Sequence, residues 1–323
     1  MNPKTLKQAI EYFADKTNCR EYLVEMRWPD GVECPTCGSK NVKFSEKHNR
    51  WQCGSHHAKR QFTLKTGTIF EDSPIGLDKW LAAMWLLVNS KNGISSHEVS
   101  RSIGVTQKSA WFMLHRLREV LAPQHDGFKM GGPEGGPVEV DETFYGPNTR
   151  KMHAAKLAQR QRGTKPKLGV PVMGMLDREA RQVRAKVIPN VKREVLQNEI
   201  LNNIEHKATI YTDGYPSYDT LKAKEFVHET VNHVTEYVRG NVHTQGIENF
   251  WSLLKRGLRG TYVAVEPFHL DRYVTEQVFR FNNRATKDNP LTDGDRFALA
   301  ASQIVGKRLT LAELTGKDQE AVY

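Results

Sequence analysis

The sequence has no apolar run long enough to cross a bilayer. Its most hydrophobic stretch, Trp80 to Val88 (WLAAMWLLV), spans nine residues, whereas a spanning helix needs about 20. The opening MNPKTLKQAIEYFADK lacks the apolar block and small-residue cleavage site of a secretory signal. These two absences argue against a membrane or secreted protein and make a cytoplasmic one the expectation. Cysteine is scarce as well: Cys19, Cys34, Cys37 and Cys53 are the four in the chain. That is too few for a disulfide framework, and their clustering near the N-terminus points to a metal. No internal repeat is present. Acidic residues are in the minority, with 37 Asp and Glu against 47 Lys and Arg and a net charge of +10. The excess favours a polyanionic partner, although basic charge also serves solubility alone. At 38% hydrophobic residues the chain holds enough apolar mass to exclude wholesale disorder. Its 323 residues predict about two folding units, at roughly 100–200 residues per domain.

Composition divides the chain. Residues 1–70 hold every cysteine and read as one opening helix followed by short strands and turns. Residues 71–122 read as helical, with Leu77, Trp80, Leu81, Met84, Trp85 and Val88 recurring on one face. Residues 123–137 (PQHDGFKMGGPEGGP) are rich in Gly and Pro and read as a linker. From residue 138 to about 300 the pattern changes. Strands are expected at Val138–Tyr145, Val170–Leu176 and Gln182–Ile188, a helix at Val191–Ile204, and a strand at Ala208–Thr212. That order indicates an α/β core opened by an antiparallel meander. Asn148 to Lys167, between the first two strands, carries seven Lys and Arg and no acid. Its basic side chains, Arg150 and Lys151 among them, are candidates for phosphate contact, with a solvated basic surface as the plain alternative. Residues 301–323 form a polar tail.

Cys34-Pro-Thr-Cys37-Gly is a metal knuckle: two thiolates at this spacing can bind one ion, and the glycine permits the tight turn. A second pair has to complete the tetrahedron. It begins at Cys53 and continues Gly54-Ser55-His56-His57, so the fourth ligand is either His56 or His57. A redox C-x-x-C would normally sit where a strand leads into a helix, which this segment does not resemble. The expectation is a structural Zn²⁺ in a zinc ribbon, with Cys19 an ordinary buried thiol.

A short helix from Ser96 to Ile103 ends at Gly104, and a second, capped by Thr106, runs to Leu121. Two helices joined by a short turn containing glycine make a helix-turn-helix. The start of the second helix offers Gln107, Lys108, Ser109 and Trp111 to base edges or phosphates. Such helix pairs also occur as plain packing units; the zinc ribbon and the basic charge tip the reading towards DNA.

Three acids stand out. Asp141 sits inside the apolar strand VEVDETFYG, Asp213 follows the strand ATIYT, and Glu248 lies in HTQGIENFWSLLKRGLRGTY, whose apolar residues have helical spacing. A carboxylate in a buried strand is costly unless paired or bound to metal. Three converging would hold two divalent cations, as two-metal phosphoryl-transfer sites do. Lys255 shares a helix face with Glu248 and Ser252, and the neighbouring Arg256 adds a second basic group. Glu142 competes with Asp141 but alternation puts it on the opposite strand face; Asn249, Asp219 and Glu266 are lesser rivals. Taken alone, Asp213 reads first as a cap or turn residue.

Together C-P-x-C-G, Thr66 to Ser73, VEVDETFYG, TDGYPSY, HTQGIENFWSLLKRGLRGTY and HLDRYVTEQVFRFNNR resemble bacterial insertion-sequence transposases with an N-terminal zinc ribbon and an ISXO-type DDE domain. The resemblance covers about residues 20–285 in the same order. It implies an α/β, ribonuclease H-like catalytic core after the zinc ribbon and helix-turn-helix, using two Mg²⁺ or Mn²⁺ ions. The family's acids match Asp141, Asp213 and Glu248, and its basic residue matches Lys255. The chain departs from the family in its second zinc pair, usually Cys-x-x-Cys; some relatives also carry a polar Asn in or near the third catalytic slot, where here Gln245 and Asn249 flank Glu248.

The expected protein is a nucleoid-associated transposase that binds the terminal repeats of its element in double-stranded DNA. It would cleave the ends and join the freed 3′-hydroxyl to target DNA, working as a homodimer or higher oligomer. A transposase-derived regulator without catalysis and a metal-dependent nuclease are the alternatives. An end-cleavage assay separates the first and the absence of joining the second.

Overall fold

The computed structural model describes residues 3–122, 128–133, 135–146, 169–213, 218, 226–231, 242–287 and 289–317. The chain forms two compact units, one of Met1–Ala122 with Asn283–Tyr323 and one of Pro123–Asn282.

The first unit opens on two helices where one was expected, α1 (Leu6–Phe13) and α2 (Lys16–Arg27). Asp15 divides them. Its backbone is extended and its carboxylate accepts from the Thr17 N–H at 2.7 Å, so a new helix starts there. Three short antiparallel strands follow: β1 (Val42–Ser45), β2 (Arg50–Cys53) and β3 (Gln61–Phe62). Trp51 anchors this small sheet, stacked on Phe62 with centroids 5.8 Å apart and edge-on to Trp28. Cys19 is buried in α2, and its thiol donates to the Phe13 carbonyl. Helix α3 (Leu77–Asn89) buries Trp80, Leu81, Met84, Trp85 and Val88 as its spacing predicts, and Ala83 and Leu87 besides. The width of that face reflects its position at the centre of the unit's helices. Helices α4 (Ser96–Ile103) and α5 (Gln107–Val120) pack together, the first started by a Ser95–Glu98 capping box and the second by Thr106. Two capped helices close the chain, Asp293–Ser302 and Leu311–Thr315. The last lies in the stretch that reads as a featureless tail. Its Thr310–Glu313 capping box is the local signal for it.

Among the described residues the second unit is built on a five-stranded sheet. Its strands are β4 (Pro137–Tyr145), β5 (Val170–Asp177), β6 (Gln182–Val187), β7 (Thr209–Asp213) and β8 (Val227–Val231), in the spatial order β6-β5-β4-β7-β8. The first three form the expected antiparallel meander. β7 then joins the other edge of β4 in parallel, and β8 adds beyond it, also in parallel. Side chains alternate across the sheet. Val138, Val140, Met173, Met175 and Ile210 point to one face, where Leu196, Ile200 and Ile204 from α6 (Arg193–Asn203) and its end cover them. Val172, Leu176 and Val183 point to the other, against α7 (Gln245–Arg256) and α8 (Leu270–Asn282). Each fully buried Leu or Ile in these layers contributes roughly 1.5–3 kcal/mol. The sheet is thus covered on both faces, and its middle strand, β4, lies beneath α7.

Candidate active site and metal centre

Four ligands meet beside the small sheet. Cys34, Cys37, Cys53 and His57 present atoms all within 4.8 Å of one another. The Cys37 and Cys53 sulfurs are 3.7 Å apart, and the Cys34 sulfur is 3.5 Å from His57 Nε2. A tetrahedral zinc with ~2.3 Å bonds to sulfur implies edges of about 3.8 Å between sulfurs and slightly less from sulfur to nitrogen. The donor set therefore fits zinc, with every coordination position taken by protein. His57 supplies the nitrogen, while His56 is exposed. The backbone assists: the Gly38 N–H closes the knuckle turn on the Cys34 carbonyl, and the Ser55 N–H points at the Cys53 sulfur.

The acidic residues lie in the second unit. On β4 the alternation puts Glu139 and Asp141 on the α7 face and Val140 and Glu142 on the α6 face. On β7, Ile210 belongs to the α6 face, so Tyr211 and Asp213 point to the other. The parallel register pairs Val138 with Ile210 and Glu139 with Tyr211. Asp141 and Asp213 each lie two residues beyond the last of these pairs, on the α7 face, and the Asp213 charge reaches Asp141. Glu248 sits in the first turn of α7, exposed, and accepts from the Thr244 hydroxyl at 3.0 Å.

The charges interact. Burial, then the Asp213 carboxylate, push Asp141 up to about 6; Glu248 adds to the rise, and a hydrogen bond from Trp251 opposes it. Like charges held together in a partly buried place call for a cation. The three carboxylates are not drawn within 4.8 Å of one another as the zinc ligands are. Carboxylates that bracket two ions roughly 3.5–4 Å apart need not be. Lys255, half-buried two turns along α7 from Glu248, is pushed down from the usual lysine range by burial and by Arg259, while Asp141 pulls the other way. It therefore stands within electrostatic reach of Asp141.

Several supporting residues escape the sequence reading. Trp251 Nε1 donates to Asp141 Oδ2 at 2.9 Å. The indole finds room because Gly174, the cross-strand neighbour of Asp141, has no side chain: a Cβ there would stand 2.6 Å from the ring. Glu139, buried at 1% exposure, accepts from the Ile247 N–H at 2.8 Å and from Arg178 Nε at 2.7 Å. Arg178 also donates to the His243 carbonyl, at 2.6 Å, and lies over the Tyr211 ring. Beside Asp213, the Thr212 hydroxyl meets His228 Nε2 at 2.9 Å, tying β7 to β8. Alternation in VEVDET, read one acid further upstream, is the signal that would have found Glu139. Glu142 faces the opposite layer, where burial and then the Asp141 and Asp213 charges push it up to about 8.

Of the other predicted contacts, Gln107 and Lys108 are exposed at the start of α5, and Gln107 Nε2 donates to Ser96 Oγ at 2.8 Å. Ser109 is engaged by the Thr106 cap, and Trp111 packs edge-on to His115. Arg256 is exposed in the last turn of α7. Arg150, Lys151 and Asp219 lie outside the described residues. Among the described residues no helix is long and apolar enough to cross a membrane.

Known proteins resemble both units. The ISXO2-like transposase domain matches residues 134–282, and the transposase zinc-ribbon domain matches residues 15–57. An uncharacterized protein in transposable element ISH50 of Halobacterium salinarum is 28% identical over 263 residues, 77% of this chain and 85% of that protein. An uncharacterized transposase-like protein of Haemophilus influenzae is 34% identical over 106 residues, 33% of this chain and 85% of that protein. A solved simian T-cell lymphotropic virus intasome in complex with PP2A regulatory subunit B56 gamma aligns over 64% of this chain and 70% of its own at 14% identity. Its TM-score of 0.32 is too low to bear on the fold. The two domain matches fall on the zinc-ligand cluster and on the sheet that carries the acids, and the chain belongs to the insertion-sequence transposases with a zinc ribbon and an ISXO2-like transposase domain.

Proposed function

We propose that the chain is a DNA transposase with a ribonuclease H-like core in which Asp141, Asp213 and Glu248 hold two Mg²⁺ or Mn²⁺ ions. The observation that supports this reading is that Asp141 and Asp213 share one face of neighbouring parallel strands, with Asp141 raised to about 6 by burial and by the charges of Asp213 and Glu248. The strand order β6-β5-β4-β7-β8, an antiparallel meander with two parallel strands added at its first strand, supports the ribonuclease H-like assignment. When bound, the ions would supply an activated water or hydroxyl and stabilise the leaving oxygen of a phosphodiester.

The chain's own residues do the rest. Asp141 and Asp213 offer oxygens from the rigid sheet, and Glu248 offers one from the first turn of α7. Lys255 holds a DNA phosphate two turns away, with Arg256 extending the basic row. In the first unit, α4 and α5 act as a helix-turn-helix, with Gln107, Lys108, Ser109 and Trp111 at the DNA and the zinc ribbon contacting it alongside. Arg150 and Lys151 add phosphate contacts. Two ends have to be cut and joined, so the working form is a homodimer or larger assembly on DNA.

Replacing Asp141 by Asn tests this reading. With DNA carrying the ends of its own element and Mg²⁺, the wild-type chain should cut and join while Asp141→Asn binds the ends and does neither. Full cleavage by that variant would refute the assignment.

A further inference from the structure

The helix that carries Glu248 is docked on the strand that carries Asp141 by two side chains for which the reaction itself has no use. Helix α7 begins without the usual cap, since Thr244 makes no side-chain bond to the first-turn amides. The third helical N–H, that of Ile247, is taken instead by Glu139 from the neighbouring strand, at 2.8 Å. A carboxylate at a helix N-terminus also meets the positive end of the helix dipole. Four residues along the helix, Trp251 Nε1 donates to Asp141 Oδ2 at 2.9 Å.

The spacings match. Glu139 and Asp141 are two residues apart on one strand face, roughly 6.6 Å at 3.3 Å per residue. Ile247 and Trp251 are four apart on the helix, about 6 Å at 1.5 Å per residue. Sliding the helix by one residue would break both bonds at once. Two glycines permit the close approach. A Cβ on Gly246 would stand 2.9 Å from Glu139 Oε2, and one on Gly174 2.6 Å from the Trp251 ring. Glu248 lies between the two docking points.

We propose that Glu139 and Trp251 are positioning residues for the divalent-metal site: Glu139 sets the register of the helix bearing Glu248, and Trp251 holds one Asp141 oxygen so that the other is aimed at a cation. The proposal rests on reading Asp141 and Glu248 as metal ligands. Partners that orient metal ligands typically change affinity 10–100-fold when lost.

The test is Mn²⁺ binding to the full-length, zinc-loaded chain, followed by calorimetry, with Tm measured beside it. Trp251→Phe keeps the aromatic packing and removes the donor. It should bind Mn²⁺ at least tenfold more weakly with a loss of only a few degrees in Tm, and Glu139→Ala should do the same with a larger loss of Tm. Wild-type affinity in Trp251→Phe, where Asp141→Asn has lost binding, overturns the positioning role and leaves the site intact. Wild-type affinity in Asp141→Asn instead overturns the metal site itself and the proposal with it. A second measurement serves if Trp251→Phe folds poorly. The six tryptophans give six indole N–H signals by NMR, and one, bonded to a carboxylate, should shift on addition of Mg²⁺. No shift in any of the six overturns the proposal.

Discussion

Replacing Asp141 by Asn should stabilise the metal-free protein. Asp141 is pushed from 3.8 to about 6, first by burial and then by Asp213, with Glu248 adding to it. Above that pH its ionised form costs the fold up to ~3 kcal/mol relative to the unfolded chain. The sign follows from proton uptake. Between 3.8 and about 6 the folded state holds a proton that the unfolded state has released, so this group's contribution falls as pH rises and is least at pH 8. Asparagine cannot ionise, and its carbonyl can still accept from the Trp251 indole. At pH 8, with zinc retained and no magnesium or manganese added, the second unit of Asp141→Asn should melt higher. At roughly 2–4 °C per kcal/mol for a domain of this size, the gain is about 6–12 °C. Differential scanning calorimetry reads it directly. Magnesium at about 1,000 times its Kd should reverse the order, because it then adds about 4.1 kcal/mol to the state that binds it. Wild-type protein should gain on its addition and the variant should not. A variant no more stable than wild type without metal, or one that magnesium stabilises equally, would contradict the cost assigned to ionised Asp141 and its role as a metal ligand.

Three further outcomes follow from the structure. Glu142 is raised from 4.5 to about 8, mainly by burial, so its contribution to stability is present at low pH and lost as pH rises through 8. The Tm of the second unit should therefore fall between pH 6 and 9, and fall less in Glu142→Gln. Cys34→Ser opens the Cys34–Cys37–Cys53–His57 cluster, so zinc content by mass spectrometry should drop from one ion per chain towards none. The sheet around Trp51 should then lose its cooperative melting. Lys255→Gln should weaken DNA binding similarly across sequences and reduce the salt slope of log K by about 1, measured by anisotropy titration.

How much of this is readable from the residues depends on how local the signal is. The meander β4-β5-β6 and helix α6 follow from alternation and helical spacing within single segments, and they appear within a residue or two of where those patterns put them. The zinc knuckle is equally local. Choosing His57 over His56 is not, because it depends on how the chain returns after β2 to face Cys34. The break between α1 and α2 was legible at Asp15, a cap embedded in an otherwise helical composition. Strand β8 carries a weak pattern and gains its place only by pairing with β7. The supporting residues of the acidic site depend most on tertiary structure. Glu139 looks like a stray acid until Ile247 is seen across from it, and Gly174 looks like a strand defect until the Trp251 ring is seen to occupy its space. Trp251 itself reads as core from its spacing, and it is buried; nothing in the sequence announces that its N–H reaches a carboxylate.

Crystals of the full chain grown with Mn²⁺ offer the most direct measurement, by anomalous scattering at the manganese edge. Two peaks about 4 Å apart are expected, ligated by Asp141, Asp213 and Glu248, and both should be lost in Asp141→Asn. Manganese bound elsewhere, with these three carboxylates unligated, would contradict that assignment.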